Sequence, residues 1–221
     1  MVVLATKVYI AGDAHERALQ SLESLIDNRI GDLTVDWDLG IRHDDFPSVT
    51  ITGEDAPVAR RVLAEEWGTI TPERTDGETY VGTLESWDED GFVLDAGEPV
   101  RIATEHINLG PGRPAQVIDR FGLVQHQRLR FVAGDTPELA KSELDQLFEW
   151  QRGTGRVNVN SVTRGEVHAT VNRAGHADDI ITIDRLGLLE QSIVCGEGTD
   201  PPGLLSSIGS YLPGEMRAVI P

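Results

Sequence analysis

Cysteine is nearly absent from this chain. A single residue, Cys195, excludes an internal disulfide and any zinc site built from several thiolates. Lysine is almost as scarce: Lys7 and Lys141 are the only two, and every other basic residue is an arginine. Long apolar runs are missing, so no stretch approaches membrane-spanning length and no membrane partner is expected. The first ten residues, MVVLATKVYI, lack a charged start, a long apolar centre and a cleavage site. They read as a strand rather than a signal peptide, which predicts a soluble, cytoplasmic protein. Neither G-x-S-x-G nor G-x-x-x-x-G-K-[ST] occurs, which argues against a nucleophile-elbow hydrolase and P-loop nucleotide hydrolysis.

Positive charge is also in short supply. Acidic residues number 37 against 19 basic, for a net charge of −18. The excess is even: 13 acids to 6 bases over residues 1–70, 11 to 6 over 71–134, and 13 to 7 over 135–221. It therefore belongs to the solvated surface and not to one binding tail. The composition resembles that of cytosolic proteins from extreme halophiles. In molar salt the screening length falls to about 3 Å, so carboxylates add solubility with little self-repulsion.

At 221 residues the chain holds two or three compact modules. Residues 2–10 alternate as a strand, and Asp13 with Glu16 forms a capping-box-like helix start. LTVDWDL (33–39) and SVTIT (48–52) are strands, and a helix with Pro57 in its first turn runs to Gly68 with Val58, Val62, Leu63 and Trp67 on its apolar face. This order, β-α-β-β-α, is one strand short of a ferredoxin-like sandwich. Residues 78–134 carry short strands at turn-sized intervals, with Asp90-Gly91 as a hairpin signal, and fit a small SH3-like or OB-like barrel. Residues 135–151 read as a linking helix that starts at Pro137. Residues 152–221 give the whole β-α-β-β-α-β order, with DIITIDRLG and LLEQSIVC as its middle strands. The expected fold is thus α+β: ferredoxin-like modules over 1–72 and 152–221 flanking a small β-barrel.

Several stretches bear on chemistry. RHDDF (42–46) and GHADDI (175–180) each set a histidine beside paired aspartates. His176, Asp178 and Asp179 are the candidates for a metal-dependent phosphohydrolase, although capping or solvated roles are the simpler expectation. Cys195 ends an apolar strand and reads as a buried apolar residue. GTDPPGLLSSIGSYL (198–212) is a helix start: Asp200 caps, Pro201 and Pro202 occupy first-turn positions, and Leu204, Leu205, Ile208 and Leu212 face the sheet. DPPGLLSSI also resembles the D-x-P-G-L-L segment of ACT-type regulatory domains. That resemblance implies an amino-acid sensor with Thr199, Asp200, Gly203 and Leu204 in its ligand loop, but in those domains the segment follows the first strand, and here it follows the third.

Two windows reverse the local charge. Residues 106–130 hold Arg113, Arg120, Arg128 and Arg130 against Asp119, and residues 151–176 hold Arg152, Arg156, Arg164 and Arg173 against Glu166. Guanidinium forks suit phosphates and base edges. Arg113, Arg128, Arg130, Arg152, Arg156, Arg164 and Arg173 are accordingly the candidate contacts for RNA or for a nucleic-acid-associated assembly. RVNVNSV, the first strand of the last module, offers no aromatic stacking platform.

FGLVQHQRLRF together with GHADDIITIDRLGLLEQSIVCGEGTDPPGLL resembles an archaeal family of uncharacterised proteins, a domain-of-unknown-function family. The resemblance implies an archaeal, cytosolic setting and assigns no activity, cofactor or catalytic residue. The resulting expectation is a non-catalytic binding factor for RNA or an RNA-processing, transcription or translation assembly, without a cofactor. The alternatives are the amino-acid sensor and the metal-dependent hydrolase.

Overall fold

A computed structural model describes residues 1–221 as an α+β protein with three antiparallel sheets. The first unit contains β1 (Val2–Val3), α1 (Asp13–Ile30), β2 (Val35–Ile41), β3 (Pro47–Gly53) and α2 (Ala56–Trp67). Its strands lie in the order β1-β3-β2, and a bridge from Leu4 to Thr69 extends the sheet beyond β1. Val49 and Ile51 of β3 are buried with Leu22, Ile26 and Ile30 of α1 and Ala59, Leu63 and Trp67 of α2. In β2 the alternation places Val35, Trp37, Leu39 and Ile41 against this core.

Three local expectations change. Gly12, at φ 64°, is the N-cap of α1, so Asp13 and Glu16 lie inside the first turn, where they favour the positive end of the helix dipole. Val58 is exposed, and Ala56 and Ala59 take the buried stripe of α2 instead. The first strand ends after two residues because the chain beyond it is committed elsewhere: Thr6, Lys7 and Tyr9 all bond to the other units.

The central unit contains β4 (Thr79–Asp88), β5 (Gly91–Asp95), β6 (Pro99–Ala103), α3 (Pro114–Phe121), β7 (Arg128–Val132), β8 (Glu138–Leu139) and α4 (Lys141–Arg152). The sheet, in the order β6-β5-β4-β7-β8, curls into a half-barrel over a core of Leu84, Phe92, Leu94, Phe121, Leu129, Phe131 and Leu147. The helix expected from Pro137 starts at Lys141. Glu138 and Leu139 pair with Val132 and Phe131 as an edge strand, which buries Leu139. Pro137 stands just before that strand, where its missing N–H costs no ladder bond.

The last unit contains β9 (Arg156–Val159), α5 (Arg164–Arg173), β10 (Ile180–Arg185), β11 (Gln191–Cys195), α6 (Pro201–Ile208) and β12 (Met216–Val219), with the sheet order β10-β11-β9-β12. Val157, Val159, Ile193 and Cys195 pack with Val167 and Val171 of α5 and Leu204 and Ile208 of α6. The opposite sheet face is closed by the central unit. Asn158 donates to the Gly122 carbonyl at 2.7 Å, and the Arg156 guanidinium lies 5.1 Å from the Trp150 ring centre. Gly122 ends α3 in the left-handed conformation, φ 60°, and a Cβ there would meet Val219 at 2.6 Å. Only glycine permits both the turn and that approach.

Leu188 and Leu189, expected inside a strand, form instead the tip of the β10–β11 hairpin and enter the core of the first unit. The Leu188 N–H donates to Thr6 Oγ1 at 2.8 Å, so the tip is fixed by polar as well as apolar contact. No helix is long and apolar enough to cross a membrane. Replacing fully buried Leu189 with alanine should cost about 2–5 kcal/mol, the range for a truncated core leucine. Urea unfolding followed by circular dichroism measures this, with the loss appearing in the midpoint.

Candidate functional site

The three units meet at one residue. Arg128 opens β7 beside the C-terminal end of α2 and the start of the β10–β11 turn. Its Nε donates to the Leu186 carbonyl at 3.1 Å, and its Nη1 donates to the carbonyls of Glu66 and Trp67 at 3.1 and 3.3 Å. The last two belong to the final turn of α2, whose free carbonyls and negative dipole end suit a cation. No carboxylate pairs with Arg128. Burial lowers its pKa to about 10, which leaves it charged at any physiological pH.

Above Arg128 opens a cleft of about 400 Å³ walled by all three units, among them Trp67, Tyr80, Arg128, Arg130, Glu143 and Arg185. The guanidinium groups of Arg128 and Arg185 lie 5.3 and 5.8 Å from the Trp67 ring centre. Arg128 Nη2 has no partner in the chain, and the buried Trp67 Nε1 has no acceptor. Three carboxylates, Glu65, Glu66 and Glu143, also line the cleft, and two of them are engaged by arginines. Glu143 accepts from Arg130 at 3.0 Å, and Glu66 pairs with Arg29 at 2.7 Å and more loosely with Arg185 at 4.0 Å. Burial raises the Glu143 pKa, opposed by the Arg130 backbone and side chain. Burial also lowers the Arg185 pKa, and Arg164 close by lowers it further. A concave site of this size with convergent cationic donors is suited to an anion-bearing ligand.

Of the seven arginines selected from the sequence, Arg128 and Arg130 line this cleft and Arg164 stands beside it. Arg113, Arg152, Arg156 and Arg173 do not line it. Arg152 pairs with Glu149 at 2.9 Å, and Arg156 pairs with Asp184 at 2.8 Å. Arg113 and Arg173 are exposed. In the 198–212 loop, Asp200 caps α6 by accepting from the Gly203 N–H at 2.9 Å, and a Cβ at Gly203 would meet its Oδ2 at 2.7 Å. Thr199 donates to the Asp179 carbonyl at 2.9 Å, and Leu204 is core. His176 bonds to Asp179 and Ser207, Asp178 is exposed, and no three His, Cys, Asp or Glu side chains gather in a metal-binding arrangement. In RHDDF, Arg42 grips Asp44 through two hydrogen bonds.

Three models of one family span almost the entire chain: the DUF2110 N-terminal domain over residues 1–73, the DUF2110 central domain over 74–151 and the DUF2110 C-terminal domain over 154–220. The chain belongs to the DUF2110 family. No curated protein matches it.

Two cleft residues of this DUF2110 protein carry no sequence signal. Arg185 falls outside both charge-reversed windows, and Trp67 reads only as the last apolar residue of a helix. The charge windows did lead to Arg128 and Arg130. Cys195 is buried, and burial pushes its thiol up to about 11, which disfavours the thiolate.

Behind the cleft lies a second polar junction of the same DUF2110 fold. Tyr9 donates to Glu190 Oε1 at 2.7 Å and accepts from the Ser161 N–H at 2.9 Å, while Glu190 Oε2 is buried without a partner. Burial raises the Glu190 pKa to about 8, against 4.5 for a free side chain. Between those values unfolding releases a proton, so this group makes stability fall as pH rises from about 5 to 8 and level off above. Glu190→Gln should remove that component, leaving the variant favoured over wild type by on the order of a few kcal/mol more at pH 8 than at pH 5. Parallel denaturant titrations across the range measure the difference.

Proposed function

We propose that this protein is a binding factor for RNA and that it holds a phosphate-bearing nucleotide in the cleft between its three units. The observation that carries this reading is Arg128: a charged, largely buried guanidinium with no carboxylate partner, one of whose nitrogens remains unbonded where the cleft opens. Arg130 and Arg185 supply two more forks on the walls. The volume, about 400 Å³, lies within the usual range for small-ligand sites, roughly 300–1,000 Å³.

The rest of the proposal concerns setting and scaffold. We read the two outer units as ferredoxin-like sandwiches and the central half-barrel as an opened barrel of SH3 or OB type, folds that often carry RNA. The order β10-β11-β9-β12 supports this for the last unit, and the Leu4–Thr69 bridge does so for the first. RNA does not use the open sheet face of the last unit, because α3 and α4 cover it. The acidic, lysine-poor surface fits the cytoplasm of a halophilic archaeon. In such salt a loose cationic patch loses most of its affinity, whereas short directional bonds in a cleft persist.

Fluorescence anisotropy with 5′-phosphorylated single-stranded RNA in molar potassium chloride tests the reading. Arg130→Gln combined with Arg185→Gln should weaken binding about 10–100-fold, the loss expected for one or two charge-assisted bonds. Arg113→Gln and Arg173→Gln should leave binding unchanged. Absence of binding by the wild type, or equal binding by the cleft variant, overturns the proposal. A thermal shift with one free amino acid in place of RNA would favour the sensor.

A further inference from the structure

The C-terminal unit carries a second constellation, far from the cleft. His176 Nδ1 lies 2.6 Å from Asp179 Oδ2, and His176 Nε2 lies 2.7 Å from Ser207 Oγ. A carboxylate only accepts, so Nδ1 carries the ring hydrogen when the imidazole is neutral. Nε2 is then the acceptor, and the Ser207 hydroxyl directs its proton onto it. This is the serine, base and orienting-acid relation required of an activated serine.

Three elements hold these groups. His176 follows the end of α5, where its N–H bonds to the Val171 carbonyl. Asp179 closes a short turn, residues 177–179, and its own carbonyl accepts from the Gly196 N–H at 2.7 Å and from Thr199 Oγ1 at 2.9 Å. Ser207 is the penultimate residue of α6, whose start is fixed by the Asp200 cap. The 198–212 loop thus positions a serine, although Thr199 and Asp200 need touch no ligand. β10 separates the two sites: Asp179 precedes its first residue and Arg185 is its last, roughly 20 Å away at about 3.4 Å per residue. The side chains of His176 and Asp179 are 27% and 46% exposed, so a reagent reaches them from solvent.

We propose that Ser207, with His176 as general base and Asp179 as its orienting acid, is a nucleophile toward activated acyl esters. Ser207 Oγ bonds to the acyl carbon as its proton passes to His176 Nε2. The bond to the leaving alcohol then breaks, and that oxygen takes the proton from His176. Water, deprotonated by the same nitrogen, attacks the acyl-serine, releasing the carboxylic acid and restoring the Ser207 hydroxyl. A half-exposed site contributes little binding energy of its own, so the donor must have a good leaving group. Aryl esters and fluorophosphonates meet that need.

The test is fluorophosphonate labelling of the full-length native protein in molar salt, with the modified residue located by peptide mass mapping. Ser206 and Ser210 are exposed near the same helix end and serve as controls within the molecule. The expected result is label on Ser207 alone, at least 100-fold slower in His176→Gln and about 10-fold slower in Asp179→Asn, with hydrolysis of 4-nitrophenyl acetate falling in parallel. Ser207→Ala should abolish both while leaving the circular dichroism spectrum unchanged. Absence of label on Ser207 in the folded wild type, equal labelling of Ser206 or Ser210, or a rate indifferent to His176→Gln overturns the assignment.

Discussion

The arrangement of the molecule depends on one guanidinium. Arg128 reaches from the first residue of β7 to the last turn of α2 on one side and to the β10–β11 turn on the other. It does so through carbonyls and not through carboxylates. That choice has a physical consequence: neutral acceptors at a helix C-terminus stabilise the cation without a direct ion pair, while the buried Glu190 and Glu143 favour its charged form from nearby. The same group is therefore both the joint and the floor of the proposed binding site.

Other contacts make that joint stiff. Lys7, 8% exposed, pairs with Glu85 at 3.1 Å and Asp95 at 2.8 Å, binding the first unit to the central sheet. Hydrogen bonds from His126 and Thr83, and then the Lys7 charge, hold the Glu85 carboxyl at about 2 against the desolvation that would raise it. The hairpin tip seats Leu188 and Leu189 in the first core, while Gly122 and Gly68 allow close approach on either side of the central unit. A Cβ at Gly68, which has φ 70°, would meet Val81 at 2.8 Å. With each unit anchored to both others, the cleft walls are fixed relative to one another, which reduces the ordering cost of binding. The serine site lies outside this joint, on elements belonging to the last unit alone.

Local periodicity carried most of the elements. β2 and β3 lie within two residues of where alternation places them, and α2 where its first-turn proline does, because each answers to neighbours close in sequence. What the sequence concealed was set by distant partners. LLEQSIVC reads as one strand, yet its first two residues are drawn into the core of the first unit, where Leu188 bonds Thr6, 182 residues earlier. Residues 4–10 read as strand, but the side chains of Thr6, Lys7 and Tyr9 bond across two interfaces. Glu143 looks like one more solvated helix acid, and it is buried under Arg130. Half of the cleft was legible, since arginines that stand out in an acidic chain mark Arg128 and Arg130. Arg185 did not stand out, and Ser207 had no motif, because its histidine lies 31 residues earlier on another element.

The central claim is that Arg128 couples the units. Hydrogen exchange measured by mass spectrometry on wild type and Arg128→Met, which keeps an apolar stem against Trp67, tests it most directly. The account predicts that the variant exposes α2 and the 186–190 turn to exchange together, at a free-energy cost lower by about 3–5 kcal/mol, while the half-barrel core keeps its protection. Unchanged protection at α2 and at that turn would contradict it.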